Sequence, residues 1–298
     1  MIKGIITPTI TVFNQDQKID FEATEEHIEK LIEAGVNGIL FLGSIGEFFA
    51  MTSAEKKKLI SFAVKTVNKR VPVLVGTGGT AAEDVIELTN FAQDEGVDGA
   101  AVITPYFFQF NQQTLYNYYS HIAQNVDLDF YIYNFPARSG VNISPETVYK
   151  LARDHNNIVG IKDTMDTISH TRELIQRVKI PLKKDFAVYS GFDEYFLPNL
   201  LNGGDGLIGG LSNVLPELFA DFYSAYQKGD FNKIKELDNK INLMMDIYSI
   251  SNPFFPAIKK AVSLSGSNLN AVCKEPVGLL TDEQSNKIKQ TLTKVNLI

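Results

Sequence analysis

The run "NNIVGIKDTMD" (156–166) sets Ile158, Val159 and Ile161 ahead of Lys162, so an ammonium closes a segment that reads as a buried strand. Removal from water disfavours the charged form of a lysine. The neutral amine adds to a carbonyl to form a Schiff base, an electron sink for making or breaking carbon–carbon bonds. A lysine beyond the strand end, in water or paired with Asp163, would look the same in the sequence, and strand position leaves both readings open. Tyr133 ends the run "FYIYN" (130–134) and offers a phenol for proton transfer. Taken alone, a tyrosine in so aromatic a strand reads more simply as core. "GSIGE" (43–47) has glycines that let backbone N–H groups approach an anion, with the Ser44 hydroxyl beside them. Plain strand-to-helix connections use such turns too.

Other chemistries find less support. "GTGGT" (76–80) lacks the Gly-Lys-Ser/Thr ending of a phosphate loop, and Thr80 reads as the cap of the next helix. His27, His121, His155 and His170 fall in helical segments or at their ends. None forms an H-x-x-x-H or His–carboxylate pair of metal-ligand type, so no metal and no other cofactor is expected. The formal net charge of −7 argues against a nucleic-acid partner, which needs a basic surface. The single cysteine, Cys273, allows no disulfide framework and suits a reducing compartment. No run of eighteen apolar residues spans a membrane, and "MIKGIITPTITVF" lacks a signal peptide's long apolar centre. A cytoplasmic location, with no membrane partner, is the expectation.

The elements that must position these residues alternate along the chain. Strand-like runs occupy 4–10, 38–42, 71–76, 99–104, 130–134, 158–162, 186–190 and 206–210, with apolar residues at helical spacing between them. Asp20 reads as the N-cap of the first helix and Gly35 as its stop, while Thr52 or Ser53 ahead of Glu55 or Lys56 makes a loosely spaced capping box. Nearly continuous apolar strands imply a sheet covered on both faces, hence parallel strands with helical crossovers. Eight such units predict an α/β chain folded as a (β/α)8, or TIM, barrel with additional C-terminal helices. The barrel occupies residues 1–228 and a helical appendage residues 229–298, since the barrel typically needs about 250 residues. A doubly wound sheet would call for a nucleotide fingerprint after the first strand, and none is present.

In this barrel reactive residues sit at the C-terminal ends of strands and in the following loops. Those places hold Ser44-Ile45-Gly46-Glu47, Thr77-Gly78-Gly79, Tyr106, Tyr133-Asn134, Lys162-Asp163-Thr164, Gly191-Phe192-Asp193-Glu194 and Gly209-Gly210.

Taken in order, "GSIGE", "YNFPARSG", "GIKDT", "SGFDE" and "GGDGLIGG" resemble the pyruvate-dependent class I aldolases, which include dihydrodipicolinate synthase, N-acetylneuraminate lyase and the 2-keto-3-deoxy sugar-acid aldolases. The resemblance covers essentially the full chain. It implies that Lys162 is the Schiff-base lysine and Tyr133 the proton-shuttling tyrosine. Ser44, with the amides of Ile45 and Gly46, would hold the carboxylate of the 2-keto acid. Tyr106, Thr164, Gly191 and Gly209 are implied around the substrate. Arg138 matches the synthase arginine that grips the aldehyde's carboxylate. Asp193 and Glu194 match the acids that bind a polyol tail in N-acetylneuraminate lyase, although a helix N-terminus also favours acidic residues. Against the synthase, Ser44-Ile45 replaces a threonine pair and Tyr106-Phe107 a tyrosine pair whose second hydroxyl completes a proton relay across a subunit interface. Against the lyase, Gly210 stands where a serine contacts substrate. "YNFPA" and "GIKDT" look closest to the 2-keto-3-deoxygluconate aldolases.

The expectation is therefore a cofactor-free lyase cleaving a 2-keto-3-deoxy sugar acid to pyruvate and an aldehyde, with dihydrodipicolinate synthesis as the nearest alternative. A non-catalytic 2-keto-acid binding protein is the alternative of another class. Its partners would be small-molecule substrates, and the resemblance implies a homo-oligomer, a tetramer of tight dimers with the Tyr106-Phe107 loop near the dimer contact.

Overall fold

A computed structural model describes residues 1–182, 184–267 and 269–298. Among them eight strands run β1 (Gly4–Pro8), β2 (Gly38–Phe41), β3 (Val73–Gly76), β4 (Gly99–Ile103), β5 (Phe130–Asn134), β6 (Ile158–Asp163), β7 (Ala187–Ser190) and β8 (Gly206–Leu207). All pair in parallel, each with its sequence neighbour, and β1 closes on β8. The expected (β/α)8 barrel is the fold. Several strands stop a residue or more short of the apolar runs, and Thr9, Ile10 and Leu42 stay buried beyond the last ladder pairs.

The helices are α1 (Phe21–Glu33), α2 (Ser53–Val67), α3 (Ala82–Asp94), α4 (Gln112–Asn125), the single turn α5 (Pro136–Ser139), α6 (Pro145–Asp154), α7 (Ile168–Leu174), α8 (Phe196–Leu201) and α9 (Pro216–Lys228). After them come α10 (Phe231–Met244), α11 (Phe255–Leu264) and α12 (Asp282–Lys294). Local chemistry sets their ends. Asp20 accepts from the Ala23 N–H at 3.1 Å, and Gly35 follows the helix in the left-handed region that glycine occupies without strain. Thr52 and Glu55 make a reciprocal capping box, resolving the loose spacing in favour of that pair. Thr80 is no cap. The N-cap of α3 is Ala81, which has no capping hydroxyl, and Glu83 and Asp84 in the first turn compensate the helix dipole instead.

Side chains alternate across each strand. Ile6, Leu40, Leu74, Ala101, Tyr131, Ala187, Tyr189 and Ile208 form a buried cluster of their own inside the barrel, apart from the larger core between strands and helices. Tyr131 and Tyr189 are large for this space, and Gly160 makes room for them: a Cβ there would lie 2.6 Å from the Ala187 carbonyl and 2.7 Å from Tyr131 Cδ1. By the same alternation Tyr133 and Lys162, two residues beyond Tyr131 and Gly160, continue the inward layer toward the C-terminal rim, while Asn134 and Asp163 face the helices.

Replacing Gly160 with alanine forces this layer apart, so a stability loss of about 1–3 kcal/mol is expected from overpacking. Urea unfolding measures it. An unchanged midpoint would mean that the barrel interior has slack at this level.

Candidate active site

The pairing of β5 with β6 puts Tyr133 opposite Lys162 and Asn134 opposite Asp163. The Lys162 side chain is almost wholly buried, at 5% exposure, with Nζ 4.2 Å from the centroid of the Tyr133 ring. The Tyr133 hydroxyl lies 3.3 Å from Ser44 Oγ, across the barrel mouth from the end of β2. The lysine thus sits inside the rim beside the phenol and has no carboxylate partner among the described residues; Asp163, its sequence neighbour, is directed elsewhere.

Asp163 belongs to a polar cluster behind this pair. It accepts from Asn134 Nδ2 at 2.8 Å and Thr171 Oγ1 at 3.1 Å, and His170 Nδ1 lies 3.0 Å from its Oδ2. Asn134 also donates to Asn142 Oδ1 at 2.8 Å and accepts from the Ile143 N–H at 3.2 Å. The residue after each candidate catalytic side chain is therefore tied to the residue after the other, and a shear between β5 and β6 would break these bonds. Burial opposes protonation of His170, but the hydrogen bond and negative charge of Asp163 outweigh it, and the imidazole's pKa stands above 6.5.

Above Lys162 opens a cavity of about 260 Å³. Of the residues expected at the site, it gathers Ser44, Ile45, Tyr133, Arg138, Lys162, Thr164, Gly191 and Asp193 on one wall or another. Tyr106 instead lines a neighbouring cavity of about 440 Å³, which shares Ser44 and Arg138 with the first. Gly46, Gly209 and Glu194 do not line the first cavity, although each adjoins a residue that does. Gly46 continues the Ser44-Ile45 turn, and a Cβ on Gly209 would collide with the Asp193 carboxylate. Glu194 is half-buried, with one carboxylate oxygen lacking a partner among the described residues, and burial raises its pKa.

Asp193 is buried, and its carboxylate is already engaged. Oδ2 accepts from the Tyr248 hydroxyl at 2.5 Å and Oδ1 from the Leu211 N–H at 3.3 Å. Burial pushes its pKa up to about 7 against the lowering effect of the Tyr248 bond. Arg138 is exposed at the rim with its guanidinium carbon 5.8 Å from the Phe135 ring centroid and 5.7 Å from that of Phe254. It has no acidic partner among the described residues, so it can receive an anionic ligand without giving up an internal bond. Gly210 is explained by packing: a Cβ there would meet Ile45 Cδ1 at 2.5 Å and the Tyr248 hydroxyl at 2.6 Å.

Strand-end reasoning does not find Met245, Tyr248 and Phe254, which come from the helical region after α9 and close one side of the cavity. The only cue in the sequence is the aromatic cluster "NPFFP" (252–256), which reads equally well as core. Phe135 and Phe192 lie within quoted motifs and also line the cavity. Among the described residues no group of three or more His, Cys, Asp or Glu is placed to hold a metal ion, and no helix is long and apolar enough to cross a membrane.

Comparison with known proteins adds a family. The model of the Dihydrodipicolinate synthetase family matches residues 1–295. The "Putative 2-dehydro-3-deoxy-D-gluconate aldolase YagE" of Escherichia coli K12 is 37% identical over all of this chain and 98% of its own. The crystal structure of YagE in complex with pyruvate superimposes with a TM-score of 0.97 over 99% of both chains. A 4-hydroxy-tetrahydrodipicolinate synthase from Hydrogenobaculum is 35% identical over the full length of both chains.

The polar cluster gives a pH-dependent expectation. Because the folded-state pKa of His170 is raised, its bond to Asp163 contributes stability fully below the unfolded pKa and loses it as pH rises through the folded value. His170→Gln should therefore cost more stability in urea unfolding below pH 6.5 than well above it. A cost that does not change with pH would show that the imidazole has the same pKa folded and unfolded.

Proposed function

The chain belongs to the Dihydrodipicolinate synthetase family, whose members are pyruvate-dependent lyases and synthases, and on that premise we propose that it cleaves a 2-keto-3-deoxy sugar acid of the gluconate type to pyruvate and an aldehyde. The observation that carries this reading is the single cavity in which buried Lys162, the Tyr133 phenol and the Ser44 hydroxyl converge.

In this reading Ser44 and the amides of Ile45 and Gly46 hold the substrate carboxylate, which sets the C2 carbonyl beside Lys162. The neutral amine adds there, Tyr133 gives its phenolic proton to the departing hydroxyl so that water leaves, and an iminium forms beside the resulting phenolate. Tyr133 takes the C4 hydroxyl proton, the C3–C4 bond breaks, and its electrons pass into the iminium to leave an enamine. The aldehyde departs. Protonation at C3 and hydrolysis of the imine then release pyruvate and regenerate the amine. Thr164, with a buried hydroxyl that has no partner among the described residues, and Gly191, where a Cβ would collide with that hydroxyl, shape the wall beside the imine. Arg138, Asp193 with Tyr248, and Glu194 select the tail. The barrel supplies the reacting groups, and the segment from residue 229 onward supplies one side of the pocket. A cytoplasmic homotetramer belongs to the same reading. Phe107 and Phe108, exposed by 87% and 66% and packed edge to face on each other, are apolar surface suited to a subunit contact.

One observation favours dihydrodipicolinate synthesis as the second reading: the free Arg138 guanidinium at the rim suits an aldehyde that carries its own carboxylate. Against it, Phe107 has no hydroxyl to complete a proton relay. A protein that merely binds 2-keto acids would share the cavity but not the covalent step.

Borohydride reduction in the presence of pyruvate should leave a covalent adduct on Lys162, read by mass spectrometry, and Lys162→Ala should abolish both adduct and turnover. Near-normal turnover in that variant would refute the imine. Pyruvate release from a panel of 2-keto-3-deoxy acids, run beside condensation with aspartate semialdehyde, decides between the two reactions. Faster condensation than cleavage of every acid tested would overturn the aldolase assignment. Replacing Phe107 with tyrosine should raise condensation if the absent hydroxyl limits it.

A further inference from the structure

Beneath the Ser44-Ile45-Gly46 turn lies a charged pair that the reaction above does not use. Glu47 and Lys259 have no exposed side-chain surface at all, although 212 residues separate them in the chain. Lys259 projects from α11, donates to Glu47 Oε1 and to the Val272 carbonyl at 2.9 Å, and lies 4.6 Å from the centroid of the Phe13 ring. Glu47 Oε2 accepts from the Lys274 N–H at 2.8 Å. Burying two full charges is unfavourable unless both are paired and their remaining hydrogen-bonding capacity is met, and this is weak ground for a role in stability alone. The pair holds something in place.

What it holds is the turn. Glu47 sits at φ 58°, a left-handed conformation uncommon for a residue with a side chain, and its N–H closes on the Ser44 carbonyl at 3.2 Å. On the other flank Thr11 Oγ1 donates to the Gly46 carbonyl at 2.8 Å. Between these two anchors the N–H groups of Ile45 and Gly46 donate to no protein acceptor among the described residues, and Ile45 lines the cavity. An anion site made of backbone amides works only as well as the amides are aimed.

We propose that Glu47 and Lys259 are positioning residues for the carboxylate-binding turn, so that α11 and the Val272–Lys274 segment set the affinity of the distant site for the 2-keto acid. The inference rests on the function proposed above. Tension on the turn passes from α11 and the Val272–Lys274 segment through one carboxylate, and a carboxylate ligand on the amides tightens that same carboxylate in return.

The double variant Glu47→Gln, Lys259→Met removes both charges and leaves none unpaired. Borohydride trapping of pyruvate on Lys162 should still reach completion at saturation, but half-saturation should need roughly tenfold more pyruvate, a coupling of ordinary size. Half-saturation within about twofold of wild type in a folded double variant would overturn the proposal and leave the pair a purely structural one, since ordinary couplings exceed that. Should the double variant not fold, hydrogen exchange on the wild-type protein decides: pyruvate should slow exchange both in the 44–48 segment and in the 271–275 segment. Protection confined to 44–48 would overturn it. If wild type itself gives no adduct, the imine reading falls and this inference with it, an outcome distinct from an adduct whose pyruvate dependence ignores the pair.

Discussion

The register between β5 and β6 is the constraint on which the site depends. Parallel pairing sets Tyr133 against Lys162 and Tyr131 against Gly160, so one layer of the barrel holds a phenol and an amine while the layer beneath holds a tyrosine accommodated by a glycine. A slip of one residue would turn Lys162 toward the helices and bring Asp163 into the barrel, because strand side chains alternate faces. Two devices oppose such a slip. Inside, Gly160 admits the Tyr131 ring; outside, Asn134 and Asp163 bond to each other and to Asn142, Thr171 and His170. Tyr133 and Lys162 are held from both faces of the sheet.

The cavity above them joins the barrel to the chain that follows it. Ser44 and Ile45 come from the end of β2, Arg138 from α5 after β5, and Met245, Tyr248 and Phe254 from the region beyond α9. Tyr248 bonds Asp193, the Phe254 ring lies 5.7 Å from the Arg138 guanidinium, and Lys259 meets Glu47. Each contact pairs a barrel-rim group with a residue at least 55 positions later in the chain. The helical segment is therefore part of the pocket's construction rather than an ornament on its outside.

Much of this was readable before any coordinates. Strand position narrowed the candidates to groups at the one mouth that a (β/α)8 barrel shares among its strand ends, and the family resemblance singled out Lys162, Tyr133 and Ser44 among them. Side-chain direction beyond the strand ends was not readable. Asp193 and Glu194 are adjacent and chemically alike, yet one is buried against the cavity and hydrogen-bonded to Tyr248, while the other stands beside it, half-buried. Tyr106 opens onto the neighbouring cavity because loop geometry, which no periodicity encodes, carries it there. Thr80 failed as a cap for a related reason: several residues near a helix start could serve, and the helix began two residues later.

By itself the sequence determined the alternation of strands and helices, the closed parallel barrel, and an amine and a phenol at neighbouring strand ends. These follow from hydrophobic periodicity and from rules that act over a few residues or between adjacent strands. Only the tertiary structure decided which oxygen of Asp193 meets Tyr248, that Arg138 stands near two aromatic rings with no acidic partner among the described residues, and that Glu47 finds Lys259. Such pairings join residues far apart in the chain whose meeting depends on how helices pack over the barrel mouth, and nothing in local composition specifies that packing.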